Sequence, residues 1–180
     1  MELDSKLFRT VEASITARPQ STFSSQLPIG MRADIIPVIM GTLTIIMGLC
    51  GSGKSHLLAE LISKSPMGAY VKDEGLLTEH FEDNYKYLLD SLKNRINSFV
   101  AGGEFCFKNN QEILISRLKK DIPDLKIEYY AFENDLEKAN NNVKKRTNKS
   151  DVKGHMQINA KLSNDYYIPK GSNIVPIFTI

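Results

Sequence analysis

Gly48-Leu49-Cys50-Gly51-Ser52-Gly53-Lys54-Ser55 is the stretch on which the reading of this chain turns. It matches G-x-x-x-x-G-K-S/T, the phosphate-binding loop termed Walker A. At ordinary residue frequencies, four constrained positions coincide by chance on the order of once per 10⁴–10⁵ windows. The flanks agree with the match. Thr42-Leu43-Thr44-Ile45-Ile46-Met47 reads as a buried parallel strand leading into the loop. Leu57, Leu58, Leu61 and Ile62 then recur at helical spacing in the segment that begins at Lys54.

Each residue type has a chemical reason to be there. Gly48, Gly51 and Gly53 let the backbone turn tightly, so that successive N–H groups face inward as an anion nest. The helix that follows adds the positive end of its dipole. Lys54 is expected to reach the β- and γ-phosphates of a nucleoside triphosphate, and the Ser55 hydroxyl to ligate Mg²⁺. Residues Gly48, Leu49, Cys50, Gly51, Ser52, Gly53, Lys54 and Ser55, with His56 beside them, form the expected cofactor site. The cofactor is taken as ATP, since no guanine-specifying motif is present.

Composition narrows the class. The 180 residues suit one domain with a substantial core. A formal net charge of +2 points to neither a nucleic-acid nor a membrane partner. The two cysteines, Cys50 in the loop and Cys106 in an apolar run, do not read as a disulfide, which fits a reducing, cytoplasmic setting. Residues 35–53 lack charge over a length that could cross a bilayer. Pro37, several glycines and the strand–loop assignment argue against a span. Glu2 and Asp4 stand where a targeting peptide would be basic. Residues 1–39 read as an extension or linker, with the phosphate-loop domain at 40–180 and a test in whether a chain starting at Met40 still binds nucleotide.

Along the domain, strands alternate with helices. Met67–Glu74 reads as a second strand ending in Asp73 and Glu74. Phe81 to Val100 reads as one long amphipathic helix stopped by Gly102-Gly103, and Glu104–Phe107 as a third strand. Asn109 or Asn110 is expected to cap the next helix, Leu125–Phe132 to form a fourth strand and Asp135 to cap a very polar helix. A weaker helix covers about 151–162, and Ile174–Ile180 is a last strand whose Pro176 suits a sheet edge. The pattern implies βαβ units in a three-layer α/β/α sandwich with a five-stranded, mostly parallel sheet, and ligands bound at the carboxyl ends of the strands.

Three further constellations follow. Asp73 closes the second strand on the loop's edge of the sheet, where a carboxylate can take the proton of an attacking hydroxyl or help hold Mg²⁺. The basic run Lys144–Lys149 has the placement of a flap over the site, and its Arg146 suits a phosphoryl group better than a lysine would. Arg117 is expected to be structural rather than a substrate contact. On this reading the third strand runs into Lys108-Asn109-Asn110 without a carboxylate, leaving Mg²⁺ to Ser55, water and Asp73, or else impairing transfer.

The pattern resembles small P-loop kinases, particularly those related to polynucleotide kinases and zeta toxins. The resemblance is carried by GLCGSGKS (48–55), VKDEG (71–75), FENDLEKANNNVKKR (132–146) and a lid-like stretch through YYIP (166–169), and covers about Gly41 to Ile180. It implies a P-loop kinase-like sheet, Asp73 as the group that positions the acceptor hydroxyl, and Arg146 as the lid arginine. The expected function is therefore an ATP- and Mg²⁺-dependent kinase with Lys54, Asp73 and Arg146 as catalytic residues and Ser55 and Asp73 at the metal. The acceptor hydroxyl is not named by the sequence. Two alternatives stand beside it: a nucleotide-binding regulatory module without efficient transfer, and a polynucleotide 5′-kinase gripping phosphates through Lys144–Lys149.

Overall fold

The structure, a computed structural model, describes residues 41–65, 69–77, 80–146 and 151–179. The expectations for residues 1–39, and for Lys149, lie outside them. Five strands form one sheet: β1 (Leu43–Met47), β2 (Ala69–Asp73), β3 (Asn97–Gly102), β4 (Ile127–Phe132) and β5 (Asn173–Val175). Their order across the sheet is β2-β3-β1-β4-β5. Every pairing is parallel, so the sheet is fully rather than mostly parallel. β1 lies in the middle with all five residues buried, in keeping with its largely apolar, β-branched run.

The strands are joined by α1 (Lys54–Ser63), α2 (Phe81–Lys93), α3 (Lys108–Asp121), and the pair α4 (Leu136–Lys145) and α5 (Val152–Asn164). Alternation along β1 gives each face its own cover. On the Met47 face lies α3, whose buried Gln111 reaches the Met47 sulfur at 3.6 Å. α2 joins α3 through a 2.7 Å bond from the Tyr85 hydroxyl to Asp121. On the Thr42 and Thr44 face, Leu61 of α1 lines a groove with Phe99 and Tyr130. This is the expected α/β/α sandwich.

Four features depart from what the spacing predicts, for physical reasons. The long helix stops at Lys93, because Asn94 and Arg95 turn the chain, and Arg95 takes the left-handed φ of 64° usually left to glycine. The next apolar residues belong to β3, a central strand buried on both faces, whose Phe99 and Val100 happened to continue the helical spacing. The expected strand Glu104–Phe107 is instead a 3-10 turn at Gly103–Cys106. Asn109 and Asn110 fall inside the first turn of α3 rather than capping it, and the Asn110 amide donates to the Glu104 backbone carbonyl at 2.8 Å. Asp135 does cap α4, accepting the Lys138 N–H at 2.9 Å, and Asp151 caps α5 through Gly154 at 3.0 Å. The last strand is short, with Pro176 just beyond its end at the sheet edge.

Candidate functional site

Register brings three strand ends to one place. Met47 is level with Gly102 of β3, and Asp73 with Ala101, so β1, β2 and β3 finish together. The loop leaves β1 there and returns as α1. Gly51 and Gly53 both have positive φ, 88° and 109°. A side chain at Gly51 would stand 2.5 Å from the Ala139 carbonyl, and one at Gly53 would stand 2.1 Å from the Phe178 ring. These two glycines therefore serve both the turn and the close approach of neighbouring elements.

Lys54 folds back beneath the loop. It is buried, and its Nζ donates to the carbonyls of Gly48 at 3.1 Å and Leu49 at 3.2 Å. An ammonium has three donors, so the third remains for a ligand in the cavity that Lys54 lines. Next in the chain, Ser55 donates its hydroxyl to Asp73 Oδ2 at 2.9 Å. The structure thus brings together the serine and the carboxylate singled out from the sequence. Arg146 ends α4 and lines the same 160 Å³ cavity as Gly51, Gly53, Lys54, Ser55 and His56. It also lines an adjoining 440 Å³ cavity with His56 and Phe178.

The back of the loop is held by side chains far away in sequence. Asn159 of α5, fully buried, accepts the Cys50 N–H at 2.7 Å and donates to the Cys50 carbonyl at 2.9 Å. Its amide donates at 2.9 Å to Asn140 as well, tying α4 to α5. Asn142 of α4 donates to the carbonyls of Gly51 and Phe178. The Phe178 N–H reaches the Ser52 carbonyl at 3.1 Å, and its ring meets His56 edge-on at a centroid distance of 5.0 Å. These residues gave no signal in the sequence beyond the unusual polarity of FENDLEKANNNVKKR.

The third strand does have its carboxylate. Because β3 ends at Gly102 rather than at Phe107, the acid that follows it is Glu104. A side chain on Gly102 would stand 2.0 Å from the Glu104 carboxylate, and one on Gly103 would stand 2.9 Å from Leu162 of α5. Glu104 Oε1 accepts the Leu76 N–H at 3.2 Å. Burial pushes the Glu104 carboxyl above its usual range; nearby Glu74 adds to this, while backbone N–H bonds and the Lys54 charge oppose it. Burial likewise raises the Cys50 thiol, opposed by Lys54, so this cysteine is not an activated nucleophile. Both cysteines are free thiols.

Glu74 has a left-handed φ of 63° and donates its N–H to Ala101 at 2.6 Å. Arg117, in contrast, belongs to the scaffold. It grips Glu82 with both terminal guanidinium nitrogens and lies 4.0 Å over the Tyr85 ring. Among the described residues there is no His/Cys/Asp/Glu cluster of metal-binding type, and no helix long and apolar enough to cross a membrane.

No family model and no curated protein matches the chain. Solved structures do. The crystal structure of APE1195 matches with a TM-score of 0.56 at 16% identity, covering 77% of this chain and 86% of that one. A gluconokinase from Sinorhizobium meliloti 1021 matches with a TM-score of 0.50 at 13% identity, over 79% and 85% of the two chains. A sugar kinase from Janibacter sp. HTCC2649 matches with a TM-score of 0.50 at 10% identity, over 76% and 84%. Identities this low speak to architecture alone, and with the strand order and the loop they give one conclusion: this chain has a P-loop kinase-like fold.

Proposed function

We propose that the protein is a kinase that transfers the γ-phosphate of ATP to a hydroxyl acceptor. The observation that carries this reading is the bond from Ser55 to Asp73 at 2.9 Å beside the buried Lys54, with Arg146 lining the cavity that Ser55 and Lys54 share. The residues fit the groups they are asked to hold. The positive-φ glycines give the loop the turn that a phosphate nest needs, and the hydroxyl–carboxylate pair offers oxygen donors suited to Mg²⁺. Bound there, Mg²⁺ would neutralise charge on the β- and γ-phosphates.

This chain's own residues do the rest. The loop N–H groups and Lys54 bind the phosphates and stabilise charge on the moving phosphoryl group. His56, Phe178 and Arg146 flank the space for the base and ribose. Asp73 orients the acceptor hydroxyl and takes its proton as oxygen bonds to the γ-phosphorus and the bond to the β-phosphate oxygen breaks, releasing ADP. Arg146 closes over the phosphates and helps to exclude water.

The second reading, a binding module without transfer, rests on a third strand without an acid, and the presence of Glu104 just after β3 weighs against it. The test is single-turnover release or transfer of γ-phosphate with Mg²⁺, with nucleotide affinity followed in parallel. Wild type is expected to turn over, Lys54→Ala to lose binding or turnover, and Asp73→Ala to bind ATP yet fail in transfer. Tight ATP binding by wild type without turnover on any acceptor would return the protein to the class of binding modules.

A further inference from the structure

Resting on that kinase reading, we infer that the acceptor is a small hydroxyl compound bearing an ammonium group on an apolar skeleton, rather than an acid or a nucleic-acid end. A cavity of about 410 Å³ adjoins the phosphate cradle, and the two share Cys50, Glu74 and His155 in their walls. Its size is that of a small-molecule site. Leu77, Phe107, Ile158 and Leu162 supply apolar surface, while Glu74 and Glu104 supply carboxylates.

Charge is sorted between the two cavities. Lys54 and Arg146 line the phosphate cradle. Among the described residues lining the neighbouring cavity there is no lysine or arginine, and His155, on the shared wall, is its one group able to become cationic. The Glu104 carboxylate is held in place by the Leu76 N–H, and the Glu74 backbone, though not its exposed side chain, is fixed by its bond to Ala101. A carboxylate or phosphate brought here would face like charges across a partly desolvated gap, offset among the described residues only by the more distant Lys54 and by His155 when protonated. A protonated amine gains from both acids, and its carbon skeleton covers the apolar wall. Because Glu74 borders both spaces, a hydroxyl at that border sits between the amine's partners and the phosphate cradle. This chemistry separates the chain from kinases whose acceptors carry negative charge.

The test is equilibrium binding of three matched probes to the full chain at low salt: phenylalaninol, the neutral 2-methyl-3-phenylpropan-1-ol, and the anionic 3-phenyllactate. We expect phenylalaninol to bind about tenfold more tightly than the neutral alcohol, and 3-phenyllactate to bind most weakly. Glu104→Gln and Glu74→Gln each reduce the first ratio, and together bring it within about twofold. Circular dichroism and ATP affinity of the variants separate a charge effect from misfolding. Equal or tighter binding of 3-phenyllactate, binding of none of the probes, or a ratio unmoved by the double substitution overturns the inference. ATP affinity and γ-phosphate release, measured separately, report on the kinase reading itself, so the two can fail independently.

Discussion

The inner and outer sides of the phosphate loop are built by different means. The inner side is local: Lys54 bonds the carbonyls of Gly48 and Leu49, within six residues of itself. The outer side is remote: Asn159, Asn142 and Phe178 grip Cys50, Gly51 and Ser52 from α5, α4 and the end of the chain, 91 residues or more away. A short-range device needs only its own motif to form. A long-range one forms only when the last third of the chain has folded against the sheet, so the loop's shape depends on both.

Lys54→Ala strikes the inner side and should have the largest effect. We expect a loss of two or more orders of magnitude in single-turnover transfer, measured by release of labelled γ-phosphate, with the fold retained. Gly53→Ala strikes the meeting of both sides. Its φ of 109° and the Phe178 ring 2.1 Å from a new Cβ predict a cost of roughly 2–4 kcal/mol in urea unfolding. If Phe178→Ala in that background restores much of the loss, the contact rather than the dihedral dominates.

Asn159→Ala strikes the outer side alone. Leaving the half-buried Cys50 N–H and carbonyl without their buried Asn159 partner should cost about 1 kcal/mol. An unchanged denaturation midpoint would show that the remote clamp contributes nothing and would collapse the comparison. The smallest effect is expected from Glu104→Gln, and it depends on pH. The folded carboxyl titrates above its ordinary value of 4.5, so the stability tied to its protonated form is complete below that value. It is lost as pH rises through the raised folded value. The glutamine variant should therefore unfold at a higher temperature than wild type at neutral pH, with the gap closing below pH 4.5.

The same division explains what could be seen in the sequence. Residues 48–55 were legible because strand, glycines, lysine and serine are contiguous, and Asp73 because a strand end has a defined position in a parallel sheet. Glu104 was hidden because Ile96, Phe99 and Val100 satisfy helical spacing and strand burial at once, and because Arg95 performs a helix stop without glycine. Asn142 and Asn159 were hidden for another reason. Asparagine in a helix ordinarily faces water, and only tertiary contact shows these two to be buried and bonded to the loop.

The paired bonds between Asn159 and Cys50 also turn one amide into a gauge of motion. Solvent can replace the Cys50 proton only when α5 lets go of the loop. Its deuterium uptake therefore reports the equilibrium between α5 held and α5 released, and protection that deepens on adding nucleotide would give the free energy by which nucleotide holds α5 on the loop.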